Sequence, residues 1–355
     1  MTVACFGMGL HAFRARGQRG ARRGWRALTL AVCLLFLLFL LLGGCRARPS
    51  PPAEPLSAIL PASAQTLLSF DVQAIRRSPL WQAVSLAMQR RAAHAQLFAE
   101  VRARTGFDPL EDLQRVVVAF PEAARRSGEF ALVLVADHAD ERRLVAYARD
   151  EASTRGQDIR QEEHAGRRLW VEQGPPRRAG FFLDRRTFVL GGGGWGHLMA
   201  ETASSAGEPR DGPAGSGELW NLFHKLPRAS AVRAVAVVPG STRTQLAADS
   251  RLRAASSIAR LALSLALDTG VEAHLRIETS SREAAQALGG QVERFMRDAR
   301  QSPQVLLAGV GPWLEQVDIE AEGPTLHLSL RLTVAQTQTL SERIAVLVRH
   351  LASPP

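Results

Sequence analysis

Cysteine is nearly absent from this chain. Of 355 residues only Cys5, Cys33 and Cys45 carry a thiol, so everything after residue 45 has none. That excludes disulfides, a cysteine metal site and a thiol nucleophile from the body of the protein. Lysine is rarer still: Lys225 stands alone against 43 arginines, a bias that reads as base composition. Familiar catalytic signatures are missing too. There is no G-x-S-x-G elbow, no P-loop and no S-x-x-K, which removes the commonest hydrolase and nucleotide-binding patterns. No histidine pair has H-x-x-x-H spacing, and no second ligand set is local, so no metal site is expected.

A basic surface is lacking as well, despite a net charge of +10. Residues 1–44 supply six arginines and no acid, which leaves 38 basic and 34 acidic residues, or +4. Residues 61–203 carry 20 bases against 18 acids, and residues 218–355 carry 15 against 13. Nucleic-acid binding needs a basic excess that neither stretch has. Seven Arg-Arg pairs between Arg76 and Arg186 have acids nearby and read as solvated surface.

What is present is concentrated at the front. Arg14, Arg16, Arg19, Arg22, Arg23 and Arg26 precede an apolar run of 16 residues, Ala27 to Leu42, which ends in Gly43-Gly44-Cys45. A basic head, an apolar middle and small residues before a cut are the parts of an export signal. A permanent span needs about 20 apolar residues, so this run fits a cleaved signal better. Leu42-Gly43-Gly44-Cys45 resembles the lipobox of bacterial lipoproteins. The resemblance implies cleavage between Gly44 and Cys45 and a diacylglycerol on the Cys45 sulfur, with the new amino group usually acylated as well. Two or three chains anchor stably where one is marginal. It also implies a periplasm-facing protein of the cell envelope. Arg46, in place of a retention aspartate, favours the outer membrane. The likeness covers the first 45 residues; in layout alone, the whole resembles uncharacterised envelope lipoproteins of high-GC bacteria.

Two Pro/Gly/Ser-rich stretches divide the remainder. The expected organisation is a signal peptide at 1–44, a lipidated cysteine and Pro-rich tether at 45–60, a first lobe at 61–203, a linker at 204–217 and a second lobe at 218–355. Period-two alternation predicts strands at 66–72, 116–120, 130–135, 168–171, 181–190 and 232–238, and hairpins at 261–277 and 317–332. Helices are predicted from Ser78, from Asp108 (a capping box with Pro109), from Asp140 to Glu151, over 196–203 and over 242–259. Two more are expected: one after Ser280, burying Ala284, Leu288, Val292 and Phe295, and a last one burying Leu340, Ile344, Leu347 and Leu351. Both lobes then read β-α-ββ-α-ββ-α. The expected class is α+β: two similar lobes, each an antiparallel sheet with helices on one face and a ferredoxin-like opening.

Candidate residues for chemistry are few. Gly191-Gly192-Gly193-Gly194-Trp195-Gly196 contains G-x-G-x-x-G between a strand and a helix, but linker sequence follows where a dinucleotide site needs a strand with an acid. A flexible strand-to-helix turn is the reading. His138 and His164 read as loop residues beside acids, and His274 and His327 as outward positions of their strands. Glu111-Asp112 and Glu162-Glu163 are adjacent carboxylates, which rarely face each other across a substrate. Gly193, Trp195 and Trp313 are candidates for a contact surface, as are a cleft between lobes and free sheet edges. The expected function is a lipid-anchored binding or scaffold module that meets the membrane through Cys45 and has a possible envelope protein partner. It needs no cofactor, metal, catalytic residue or nucleic acid. Two alternatives stay open: an envelope hydrolase with a site assembled from distant residues, and a carrier of lipid or small ligand between the lobes.

Overall fold

A computed structural model describes residues 56, 58–81, 85, 92–121, 128–175, 177–205, 217–248, 253–302, 305, 309 and 311–351. Cys45, Gly44, the signal and the tether up to residue 55 lie outside them.

The alternating segments form twelve strands: β1 (Thr66–Asp71), β2 (Leu113–Phe120), β3 (Phe130–Ala136), β4 (Asp158–His164), β5 (Arg167–Gln173), β6 (Arg178–Phe182), β7 (Thr187–Gly192), β8 (Val232–Val237), β9 (Ile258–Ala266), β10 (Val271–Thr279), β11 (Asp318–Glu322) and β12 (Thr325–Leu332). Every pairing is antiparallel. The helices are α1 (Val72–Arg76), α2 (Ala92–Thr105), α3 (Glu141–Ser153), α4 (Trp195–Ser205), α5 (Glu218–Lys225), α6 (Gly240–Ala248), α7 (Arg282–Arg300), α8 (Gly311–Leu314) and α9 (Val334–Leu351). The chain is α+β, with the two halves built in matching order.

The lobes do not keep separate sheets. All twelve strands join in the order β11-β12-β10-β9-β8-β1-β2-β3-β7-β6-β5-β4. The seam is β1 against β8, where Leu68 faces Ala234. Moving outward from that pair, the strands match across a local two-fold: β2 with β9, β3 with β10, β7 with β12, β6 with β11. The row Leu68-Val118-Leu132-Leu190 corresponds to Ala234-Leu263-Leu275-Leu328. Among the described strands, the hairpin β4–β5 lacks a counterpart. Its two-residue turn holds Ala165 at φ 50° and Gly166 at φ 72°, both left-handed, as a tight hairpin demands.

Local chemistry starts and ends the elements. Asp140 caps α3 by accepting from the Arg143 N–H. Ser281, one residue later than predicted, caps α7 through the Ala284 N–H, satisfying an otherwise orphaned donor. The predicted helix at Asp108 is a single turn, with the Leu110 N–H on the Asp108 carboxylate. The 181–190 strand is a hairpin, folded at Asp184, which accepts from the Arg186 and Thr187 N–H groups. Strand β4 has too polar an alternation to register as a strand in the sequence. The predicted 242–259 helix ends at Ala248, and Ile258 already belongs to β9. Leu288 and Ala285 are buried on α7, whereas Phe295 is 50% exposed. Leu340 is buried. Positions 84 and 88 of the predicted first helix, and the side chains of Ile344, Leu347 and Leu351, lie outside what is described.

The core follows from which sheet face each helix takes. On one face Val117, Val133, Val189, Phe181 and Leu169 pack under Met199, Ala200 and Ala203 of α4 and Leu219, Trp220 and Phe223 of α5. Each of the larger of these side chains, Val, Leu, Met or Phe, contributes about 1.5–3 kcal/mol when fully buried. On the other face Leu288 of α7 meets Ile277, Leu326 and Leu328. Helix cover therefore falls on the front of the first half and on the back of the second.

Candidate functional site

Helix α7 covers the back of the second half's sheet, and α4 covers the front of the first half's. The front of the second half carries neither. The corresponding helix, α9, reaches Pro79, whose carbonyl accepts from Ser341 Oγ at 3.0 Å. The sequence is adapted to that exposure. The buried first-half row Val117-Val133-Val189-Phe181 corresponds to Ala262-Arg276-His327-Glu320. The row Ala119-Ala131-Gly191-Ala179 corresponds to Ser264-His274-Ser329-Asp318. Apart from Ala262, which stays apolar and buried next to the seam, these positions have become polar at the same place in the sheet.

One side of this open face is walled by the C-terminal turn of α5. Leu222, Lys225 and Leu226 meet Ser264, His274, Arg276, His327 and Ser329 around a shallow cavity of about 140 Å³. Burial of Trp220 and Phe223 seats α5, and the Arg233 guanidinium lies 4.3 Å from the Phe223 ring centre. Lys225 falls in the last helical turn, where the dipole favours a cation.

The face is a lattice of charges. Glu278 accepts from Arg260 at 2.7 Å and from Arg276 at 2.9 Å. Glu272 accepts from Arg331 and lies 3.1 Å from His274 Nε2. The Arg331 bond, with help from His274, holds the Glu272 carboxyl below the ordinary glutamate range. His327 stands 4.0 Å from Glu322. His274 and His327 are half exposed, as their strand positions predicted.

Other candidates fall elsewhere. Trp195 (5% exposed) and Trp313 (9% exposed) are buried. Trp195 packs in the first-half core, and Arg343 lies over the Trp313 ring at 5.4 Å. Neither presents a contact surface. Gly193 has φ +63° and its N–H donates to the Arg177 carbonyl. A Cβ on Gly191 would lie 2.3 Å from the Gly196 nitrogen, and one on Gly196 would lie 2.5 Å from the Ala179 carbonyl oxygen. The glycine run lets α4 lie against the sheet, and the space a phosphate would need is filled with backbone. Among the described residues the halves meet directly, through the hydrogen bonds between β1 and β8. The free edges, β4 and β11, are thick with charge (Asp158, Glu162, Asp318, Glu320), which resists strand addition.

His197 and Glu201 on α4 escaped notice because a single His and Glu four residues apart on a helix carry no signal alone. Sheet topology brings them to Glu162 and His164 of β4. His197 Nε2 meets the Glu162 carboxylate, and His164 Nε2 lies 2.8 Å from Glu201. Lys225, Arg276, Ser264 and Ser329 were invisible for the same reason.

Among the described residues no helix is long and apolar enough to cross a membrane. No protein-family model matches the chain, and no curated protein does. Among solved structures, crystal form III of TP0453 is similar at 12% identity and TM-score 0.43, covering 84% of this chain and 99% of that one. Form I gives 13% and 0.39, and form IV 12% and 0.43, with 98% and 97% of those chains covered. The fold class rests on the strands and helices themselves rather than on these likenesses.

Proposed function

We propose that the chain is a lipid-anchored lipoprotein of the cell envelope, held at Cys45 and facing the periplasm, and that its body is a binding or scaffold module. The outer membrane is favoured by Arg46. The open polar front of the second half carries the binding reading: its residues occupy places that are apolar and helix-covered in the first half. A face with so many paired guanidinium and carboxylate groups suits a wet protein interface. The cavity beside α5, at about 140 Å³, is smaller than the range of about 300–1,000 Å³ usual for ligand pockets, so this face suits a protein partner better than a carried lipid.

Two measurements test this. Cells fed a palmitate analogue should label the wild type and not Cys45→Ala; equal label on both would remove the anchor. Wild-type protein crosslinked in cells should capture an envelope protein that the double variant Arg276→Glu/His327→Glu fails to capture. Capture of the same protein by both would move the binding face elsewhere.

A further inference from the structure

The cavity beside α5 is lopsided in charge. Lys225, His274, Arg276 and His327 line it together with Ser264 and Ser329, and among the described residues no aspartate or glutamate does. Each of these six side chains can donate a hydrogen bond. The acids of the same face stand outside the cavity and are held there. Glu272 is taken by Arg331, and Glu278 by Arg260 and Arg276. Register sets the donors side by side: Ser264, His274 and Ser329 form one row across β9, β10 and β12, and Arg276 and His327 belong to the next. Strands lie about 4.8 Å apart and same-face positions about 7 Å apart along a strand, so the donors fill a patch of about 10 by 7 Å.

Two of these donors have an unmet demand. Ser264 is 4% exposed and lines the cavity, yet its hydroxyl bonds to no other described residue. Buried polar groups ordinarily have a partner, and here the cavity is the side from which an acceptor can arrive. Lys225, exposed at the end of α5, pairs with no described acid. Leu222 and Leu226 add an apolar wall beside it.

Resting on the reading of the open front as a protein interface, we propose that this cavity takes a carboxylate side chain from an acidic segment of the partner. Lys225 and Arg276 supply the charge, Ser264 and Ser329 the neutral donors, and the two leucines cover the methylene stem. A basic segment would meet charge of its own sign. An apolar one would strip water from Lys225 and Arg276 and put nothing in its place. At about 140 Å³ the space suits one side chain better than a whole small-molecule ligand.

The test titrates the full chain in detergent with a short fluorescent oligoglutamate peptide, read by anisotropy. Binding should saturate, weaken with added salt and be absent with oligoglutamine of equal length. Lys225→Gln/Arg276→Gln should weaken it by more than about tenfold, while Arg294→Gln/Arg297→Gln, on α7 at the back, binds as the wild type does. Lys225 is the one lysine of the chain, so a carbodiimide link to the peptide should map to it by mass spectrometry. No saturable binding to the wild-type chain would overturn the pocket even if a variant fails to fold. So would binding that survives in Lys225→Gln/Arg276→Gln when that variant melts as the wild type does. Displacement of the peptide by glycerol phosphate, at concentrations where glutarate has no effect, would make this a phosphate site and overturn the carboxylate. In-cell capture lost in Arg276→Glu/His327→Glu, with no peptide binding, keeps the interface and overturns the acidic segment. Capture kept in that variant, with peptide bound to the wild type, overturns the interface instead.

Discussion

Single residues hold this fold to close tolerances in a few places. Gly196→Ala would drive a methyl into the Ala179 carbonyl and should cost about 1–3 kcal/mol, read as a lower urea midpoint. Gly194→Ala, two residues away with nothing within 4 Å of the new Cβ, should stay within about 0.5 kcal/mol of wild type. Ala165 carries a side chain at φ 50°, so Ala165→Gly should gain up to about 1 kcal/mol by the same measurement. At Glu272 the sign follows from its lowered folded-state pKa. Its contribution is present above the unfolded value of about 4.3 and is lost as pH falls through the lower folded value. The midpoint gap between wild type and Glu272→Gln should therefore close in acid. It should be under about 1 kcal/mol at neutral pH, because the pair is half exposed. Sequence made the outward aim of His274 and His327 legible, since alternation fixes which way a strand residue points. It could not reveal that Trp195 and Trp313 are buried, because a tryptophan beside glycine looks the same in a loop and in a core.

At the scale of elements, the α3 cap, the α7 region and both second-half hairpins were legible because capping and turn chemistry are local. Strand β4 was not, because Asp158 to His164 is almost wholly polar and is a strand only through β5. Nor were the two His–Glu pairs between β4 and α4, whose histidines are 33 residues apart, from His164 to His197. One element junction is more heavily committed than the rest. Asp71 ends β1, caps α1 through the Ala74 N–H at 2.9 Å and accepts from the buried Arg115 of β2 at 2.9 Å. Asp71→Ala removes a cap and half of a buried ion pair at once. It should cost about 3–5 kcal/mol, measured by urea unfolding. A loss below about 1 kcal/mol would mean that other groups hold Arg115 equally well.

The molecule as a whole was half foreseen. Its duplicated order is visible in the alternation and turns, but nothing in either half announces that β1 and β8 will pair. Strand pairing over so long a separation depends on backbone groups that every residue shares. The joined sheet has a mechanical outcome: the halves cannot part without exposing two strand edges. Calorimetry should show one unfolding transition with equal calorimetric and van't Hoff enthalpies. Two resolved transitions would show the seam to be weak.

That seam has a second consequence. Two like bodies joined first strand to first strand, antiparallel and related by a two-fold, have the geometry of a homodimer. Here both partners are written in one reading frame. A gene encoding only residues 218–355 would leave β8 without β1, and the symmetry already supplies a replacement: another β8, with Ala234 opposite Ala234. Duplication and fusion would have released one copy from having to be its own mate. The first could then close over its front with α4, while the second kept its front bare.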